Sequence, residues 1–101
     1  MSLVAKHVYV SGRVQGVAFR WFTRERAEAH GVAGWTRNLY DGRVEVHCEG
    51  SAGAIDAMLE ELKRGPRAAR VTSLDASDVA AAGHDGFEIL RGELRAVGEA
   101  P

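Results

Sequence analysis

The fold class of this chain is decided by residues 41–49, which read DGRVEVHCE. From residue 43 onward, charged or polar side chains alternate with apolar ones, and this period of two is typical of a strand with one buried and one solvent-exposed face. The apolar positions are Val44, Val46 and Cys48. Asp41-Gly42 predicts a tight hairpin before this strand, because the pair tolerates the backbone angles of such turns. The partner strand is predicted at residues 32–38.

A helix is predicted on each side of this hairpin. The first, at residues 19–30, has apolar residues on one side and ends before Gly31, a residue type that favours a helix stop. The second begins after an N-cap at Ser51 and ends at Gly65-Pro66. The apolar positions are Phe19, Phe22 and Ala27 in the first helix, and Ile55, Met58, Leu59 and Leu62 in the second.

Three further strands complete the pattern. The first lies around residues 8–10, Val71 and Leu74 predict a less regular strand with a bulge or bend, and residues 87–90 predict a short one. The order β-α-β-β-α-β, with one extra short strand, predicts a ferredoxin-like α+β sandwich. Two helices would pack on one face of a mixed, mostly antiparallel sheet of four to five strands. We expect the other face to be partly solvated.

Composition limits the classes of function. The 101 residues carry 13 Lys and Arg against 14 Asp and Glu, and a net charge of −1 argues against binding of nucleic acid or an anionic membrane. No apolar stretch approaches the roughly 20 residues of a spanning helix. The lone Cys48 excludes an intramolecular disulfide and suits a reducing cytosol. We expect a soluble cytoplasmic monomer, with one domain at residues 1–91 and a flexible tail at residues 92–101.

A candidate anion-binding loop lies between the first strand and the first helix, at residues 12–20, which read GRVQGVAFR. A glycine-flanked loop that leads into a helix turns several backbone N–H groups towards one point, and the helix dipole adds roughly half a positive charge there. Arg20 falls near the first helical turn, where its guanidinium can bind an anion through two parallel hydrogen bonds. The same spacing would also fit a tight turn followed by a solvated arginine.

Asn38 is a second candidate functional residue and lies at the junction of a strand and the hairpin. Its amide can donate and accept at once, which suits holding a water molecule, although an amide there can also satisfy turn backbone.

No metal site is predicted, because the histidines lie far apart in the sequence and lack ligand spacing. They are His7, His30, His47 and His84. Cys48 is expected to be a buried, inert thiol, and the carboxylates fall on predicted solvent faces, which argues against a paired acid/base site.

The chemistry of such a site favours one kind of substrate. Hydrolysis of a phosphate monoester expels an alkoxide, so an acid or a metal has to assist. Hydrolysis of an acyl phosphate expels a carboxylate, whose conjugate acid has a pKa of about 4, and this group leaves without a proton. An anion-binding loop, Arg20 and a water-holding Asn38 suffice for the second reaction.

Two segments resemble the signatures of the acylphosphatase family. GRVQGVAFR at residues 12–20 is similar to the family's signature loop, and GWTRNLYDGRVE at residues 34–45 looks like its second signature. The two occur in the family's order and at its usual separation, and the likeness extends from about residue 6 to residue 89. Ala18 stands where bulkier side chains are common in the family.

This resemblance implies a cytosolic hydrolase of acyl phosphates that uses no metal, no cofactor and no covalent intermediate. Arg20 and the loop amides would bind the phosphoryl group, and Asn38 would orient the attacking water. The loop residues assigned in this way are Gln15, Gly16, Val17, Ala18, Phe19 and Arg20. Two alternatives are a module that binds such a ligand without turnover, and an RNA-binding module, which shares the topology but stacks bases on aromatic side chains.

Overall fold

The structure is a computed structural model and describes residues 3–91, so the tail predicted at residues 92–101 lies outside the described residues. The predicted order of elements is confirmed. They are β1 (Val4–Arg13), α1 (Phe19–His30), β2 (Ala33–Asn38), β3 (Val44–Gly50), α2 (Ala52–Arg64), β4 (Arg70–Val79) and β5 (Phe87–Ile89). Neither helix between residues 3 and 91 is long and apolar enough to cross a membrane.

The strands form one sheet in the order β4-β1-β3-β2-β5. All neighbouring pairs are antiparallel except β2 and β5, which confirms the mixed, mostly antiparallel sheet of a ferredoxin-like sandwich. Because β1 and β2 both run antiparallel to β3, their C-terminal ends at Arg13 and Asn38 lie at the same edge. The register of β1 and β4 shifts between Ser11 and Gly12, close to Val71, which confirms the predicted irregularity.

The helices begin and end where the sequence predicts. Ser51 Oγ accepts a hydrogen bond of 3.2 Å from the N–H of Ala54, an N-cap that contributes about 1 kcal/mol to helix stability. Gly31 ends α1 with a φ of 70°, and its N–H donates to backbone carbonyls of the last turn. Both helices contribute to the core over one face of the sheet. Its fully buried members include Val8, Val10, Val46, Phe19, Ile55, Met58 and Leu62.

The opposite face of β3 is buried, and the prediction that it is solvated is wrong. Glu45, His47 and Glu49 are only 4%, 7% and 2% exposed. The reason is that β3 is the central strand, so long side chains of both neighbouring strands cover its polar row. Glu45 is held between Arg37, whose Nε donates to Oε1 at 2.6 Å, and His7, whose Nε2 lies 2.6 Å from Oε2. Burial alone would raise the pKa of Glu45, but these two partners lower it.

Glu49 attaches the connection between β4 and β5 to the sheet. Its carboxylate accepts hydrogen bonds from the N–H groups of Ala82, Gly83 and His84 at 2.6, 3.0 and 3.1 Å. His47 Nε2 lies 2.7 Å from the same carboxylate. Burial works to raise the pKa of Glu49, but these hydrogen bonds outweigh it and lower the pKa to about 2.

Replacement of Glu49 by glutamine is expected to destabilise the protein by about 1–3 kcal/mol, because the amide cannot accept all of these hydrogen bonds. The folded pKa of about 2 lies below the ordinary value of 4.5. The stabilisation is therefore complete above about pH 4.5 and is lost as the pH falls towards 2. Urea unfolding of both proteins across this range measures the difference, with the exposed Glu60→Gln as a control. If the difference in the free energy of unfolding between wild type and Glu49→Gln does not shrink in acid, the ionised carboxylate of Glu49 is not the group that holds this connection.

Candidate active site

The end of β2 and the loop that follows β1 lie side by side at one edge of the sheet. Val10 and Asn38 both pair with Val44, from opposite sides of β3, so their Cα atoms are about 10 Å apart. Gln15 closes this gap, because its Nε2 donates to the carbonyl oxygens of Leu39 at 2.8 Å and Arg43 at 2.9 Å. The loop is thereby attached to the hairpin that carries Asn38.

Two residues near the end of the loop have a positive φ: Gly16 at 75° and Ala18, directly before the helix, at 63°. Within residues 3–91, Ala18 is the only non-glycine residue with a positive φ, a conformation that costs an L-residue roughly 1–2 kcal/mol. It occupies the N-cap position of α1, and no side chain caps the helix. Strain of this kind persists where the surrounding structure enforces it, often at sites of function.

The backbone N–H groups of this loop are available to a ligand. Within the described part of the chain, those of residues 15–20 donate to no backbone acceptor. Val14, which precedes them, is 1% exposed and holds the start of the loop in the core. Unpaired N–H groups at a helix N-terminus favour an anion, since the helix dipole adds to their own positive charge.

Arg20 is half-buried and lies in the first turn of α1, as predicted. Its guanidinium forms no ion pair with any carboxylate among residues 3–91. Arg24, one turn later, has a different environment, because its guanidinium lies 4.2 Å from the ring centroid of Trp21. Arg20 therefore remains free to pair with a bound anion.

Asn38 is the last residue of β2, and its Oδ1 is buried without a hydrogen-bond partner. It is the only such side-chain atom found in the part of the chain that the structure describes. Buried polar atoms in proteins are almost always hydrogen-bonded, so an isolated one indicates a place for water or a ligand. The turn that follows is satisfied by other groups, including Asp41, whose carboxylate accepts from the N–H of Arg43.

Some contacts of this region were missed from the sequence. Gln15 was expected to contribute only a backbone amide, whereas its side chain bridges to the hairpin. The sequence signal that could have indicated this contact is the long polar side chain of Gln15 among the glycines and valines of the loop. Three of the histidines that are far apart in the sequence are neighbours in the fold, because the ring centroid of His47 lies 6.1 Å from that of His7 and 5.2 Å from that of His84. The prediction that Cys48 is buried is confirmed, and burial raises the pKa of its thiol to about 11.

Fold and geometry together define a class: a small ferredoxin-like α+β domain in which the unpaired N–H groups of residues 15–20, Arg20 and the buried amide oxygen of Asn38 lie at one edge of the sheet. The sequence profile of the acylphosphatase family matches residues 6–89. The chain is 55% identical over 83 residues to an acylphosphatase of Rubrobacter xylanophilus, covering 81% of this chain and 76% of that protein. An acylphosphatase of Pseudomonas paraeruginosa is 47% identical over 91 residues, which cover 90% of this chain and 100% of that protein.

Similarity in structure agrees with similarity in sequence. The crystal structure of acylphosphatase from Bacillus subtilis superimposes with a TM-score of 0.85 at 36% identity, covering 87% of this chain and 99% of that one. The chain therefore belongs to the acylphosphatase family, and it is an enzyme that hydrolyses acyl phosphates.

Proposed function

We propose that the loop, Arg20 and Asn38 form the active site and that water attacks the acyl phosphate in line with the departing carboxylate. The N–H groups of residues 15–20 and the guanidinium of Arg20 bind the phosphoryl oxygens. Asn38 orients the water. The observation that carries this proposal is the buried, unpaired Oδ1 of Asn38, because it lies at the same edge of the sheet as the free N–H donors.

Each group has one task in this mechanism. The loop donors and the bidentate Arg20 stabilise the negative charge on the transferred phosphoryl group, and stabilisation of this kind lowers the barrier more than any other effect of such a site. Asn38 Oδ1 accepts a hydrogen from the water and so directs a lone pair of the water oxygen at phosphorus. The carboxylate leaves without a proton, since its conjugate acid has a pKa of about 4, and the step needs no general acid.

Benzoyl phosphate hydrolysis in excess EDTA tests the proposal. We expect turnover, with inorganic phosphate acting as a competitive inhibitor because it occupies the same loop. Turnover that stops in EDTA and returns with a divalent cation would contradict a metal-independent mechanism.

We also propose that the protein is a monomer and acts in the cytoplasm. Light scattering on the purified protein tests the first part, and we expect the mass of one chain.

Gln15→Met is expected to lower kcat about 10-fold or more, since misplacement of a catalytic group by about 1 Å can cost up to 10²-fold. Methionine retains the length of glutamine but donates no hydrogen bond, so the loop loses its attachment to the hairpin. Both carbonyls keep a backbone partner, because Leu39 O accepts from Gly42 N and Arg43 O from Leu39 N. The cost in stability is therefore small. Steady-state kinetics beside urea unfolding measures both effects.

Gln15→Glu provides a second variant at the same position. Its carboxylate would face the two carbonyl oxygens and would also repel a phosphoryl group, so we expect a larger loss than in Gln15→Met. Normal kcat in both variants would show that the bridge does not position the site.

A further inference from the structure

We propose that His47, Glu49 and His84 form a second site, which binds one Zn²⁺ ion. One potential ligand atom from each of these three residues lies within 4.8 Å of the other two. Two imidazoles and one carboxylate are a donor set that suits zinc, with water at the fourth position. The site is independent of the proposed mechanism and requires nothing of Arg20 or Asn38.

The distance between the two buried ligand atoms is close to that between two ligands of one zinc ion. His47 Nε2 and Glu49 Oε2 are 2.7 Å apart, whereas ligands around a tetrahedral zinc at about 2.0–2.1 Å stand about 3.3–3.4 Å from one another. The ion would take the place of the hydrogen between them, and the imidazole of His47 would then carry its proton on Nδ1. His84 is exposed, so a rotation of its side chain brings the third ligand in.

The two buried ligands are already oriented. Trp35 stacks on the His47 ring at a centroid distance of 5.9 Å and an interplanar angle of 17°. The N–H groups of Ala82, Gly83 and His84 donate to the carboxylate of Glu49 and fix its orientation. Support of this kind around metal ligands raises affinity, because less ordering remains to be done when the ion binds.

The local charge also favours a cation. His84 borders a cavity of about 390 Å³ whose lining residues include three acidic ones, Glu28, Asp85 and Glu88. Their negative potential attracts a divalent ion to the exposed side of the site. Glu49 pairs with Ala5 and Ala33, near the starts of β1 and β2, so the zinc site lies at the edge of the sheet opposite Asn38.

Calorimetric titration of the metal-free protein with Zn²⁺ tests this site. We expect one ion per chain, and visible absorption of four-coordinate Co²⁺ when cobalt replaces zinc. His84→Ala is the decisive variant, because the side chain is exposed and its loss should leave the fold intact. It is expected to weaken Zn²⁺ binding at least about 10-fold.

His30→Ala is the matched control. His30 lies on α1 and its Nε2 is 3.0 Å from Glu61 Oε1, outside the proposed site. This variant should bind Zn²⁺ like the wild type, and His84→Ala should hydrolyse benzoyl phosphate at the wild-type rate without metal. Absence of Zn²⁺ binding by the folded wild type, or equal binding by His84→Ala and wild type, would overturn the proposal.

Discussion

Replacement of Arg20 by alanine is expected to lower kcat/KM for benzoyl phosphate by about 10²–10³ or more, the cost of removing one preorganised donor from a site that stabilises developing charge. Arg20 has no carboxylate partner between residues 3 and 91, so the protein loses little else when the guanidinium is removed. The fold should therefore persist, and the loss should be confined to substrate binding and turnover. Steady-state kinetics and inhibition by inorganic phosphate measure both.

Arg20→Lys separates the charge from the shape of the side chain. Lysine keeps the positive charge but lacks the planar pair of donors, so we expect most of the activity to be lost here too. Arg24→Ala is the matched control, because this arginine lies one turn further along α1 and stacks on Trp21. If Arg20→Lys keeps nearly full activity, the bidentate role is incorrect.

Replacement of Asn38 by alanine is expected to lower kcat about 10²-fold with little change in KM, because the amide orients the water rather than binding the phosphoryl group. The expected effect on stability is small. No protein group among residues 3–91 bonds to Asn38 Oδ1, so its removal leaves no donor of the fold unpaired. Asn38→Ala should therefore unfold close to the wild-type midpoint.

This combination distinguishes a catalytic asparagine from one that only stabilises the turn. Substitution of a structural asparagine would lower stability together with activity, whereas the proposed role predicts a large loss of kcat with a nearly unchanged unfolding midpoint. Asp41→Asn is the control in the same hairpin, because asparagine can still accept from the N–H of Arg43. Wild-type turnover by Asn38→Ala would contradict the proposed water site.

The elements of the fold could be predicted because their signals are local. Alternation from Val44 to Cys48, the i, i+3, i+4, i+7 pattern of α2, the cap at Ser51 and the stop at Gly31 each depend on a few neighbouring residues. The loop at residues 12–20 and Asn38 were candidates for the same reason. Their shared edge follows from the topology, since β1 and β2 run in the same direction beside β3.

The sequence by itself determined which segments form strands and helices, how the helices end, and that the protein resembles acylphosphatases. Only the tertiary structure decided which distant side chains meet. It turned the polar row of β3 into a buried set of ion pairs, joined Gln15 to the hairpin, left Asn38 Oδ1 unpaired and brought His84 to His47. Periodicity specifies the face on which a residue lies, but strand order and register specify its neighbours, and these arise from contacts between segments far apart in the chain.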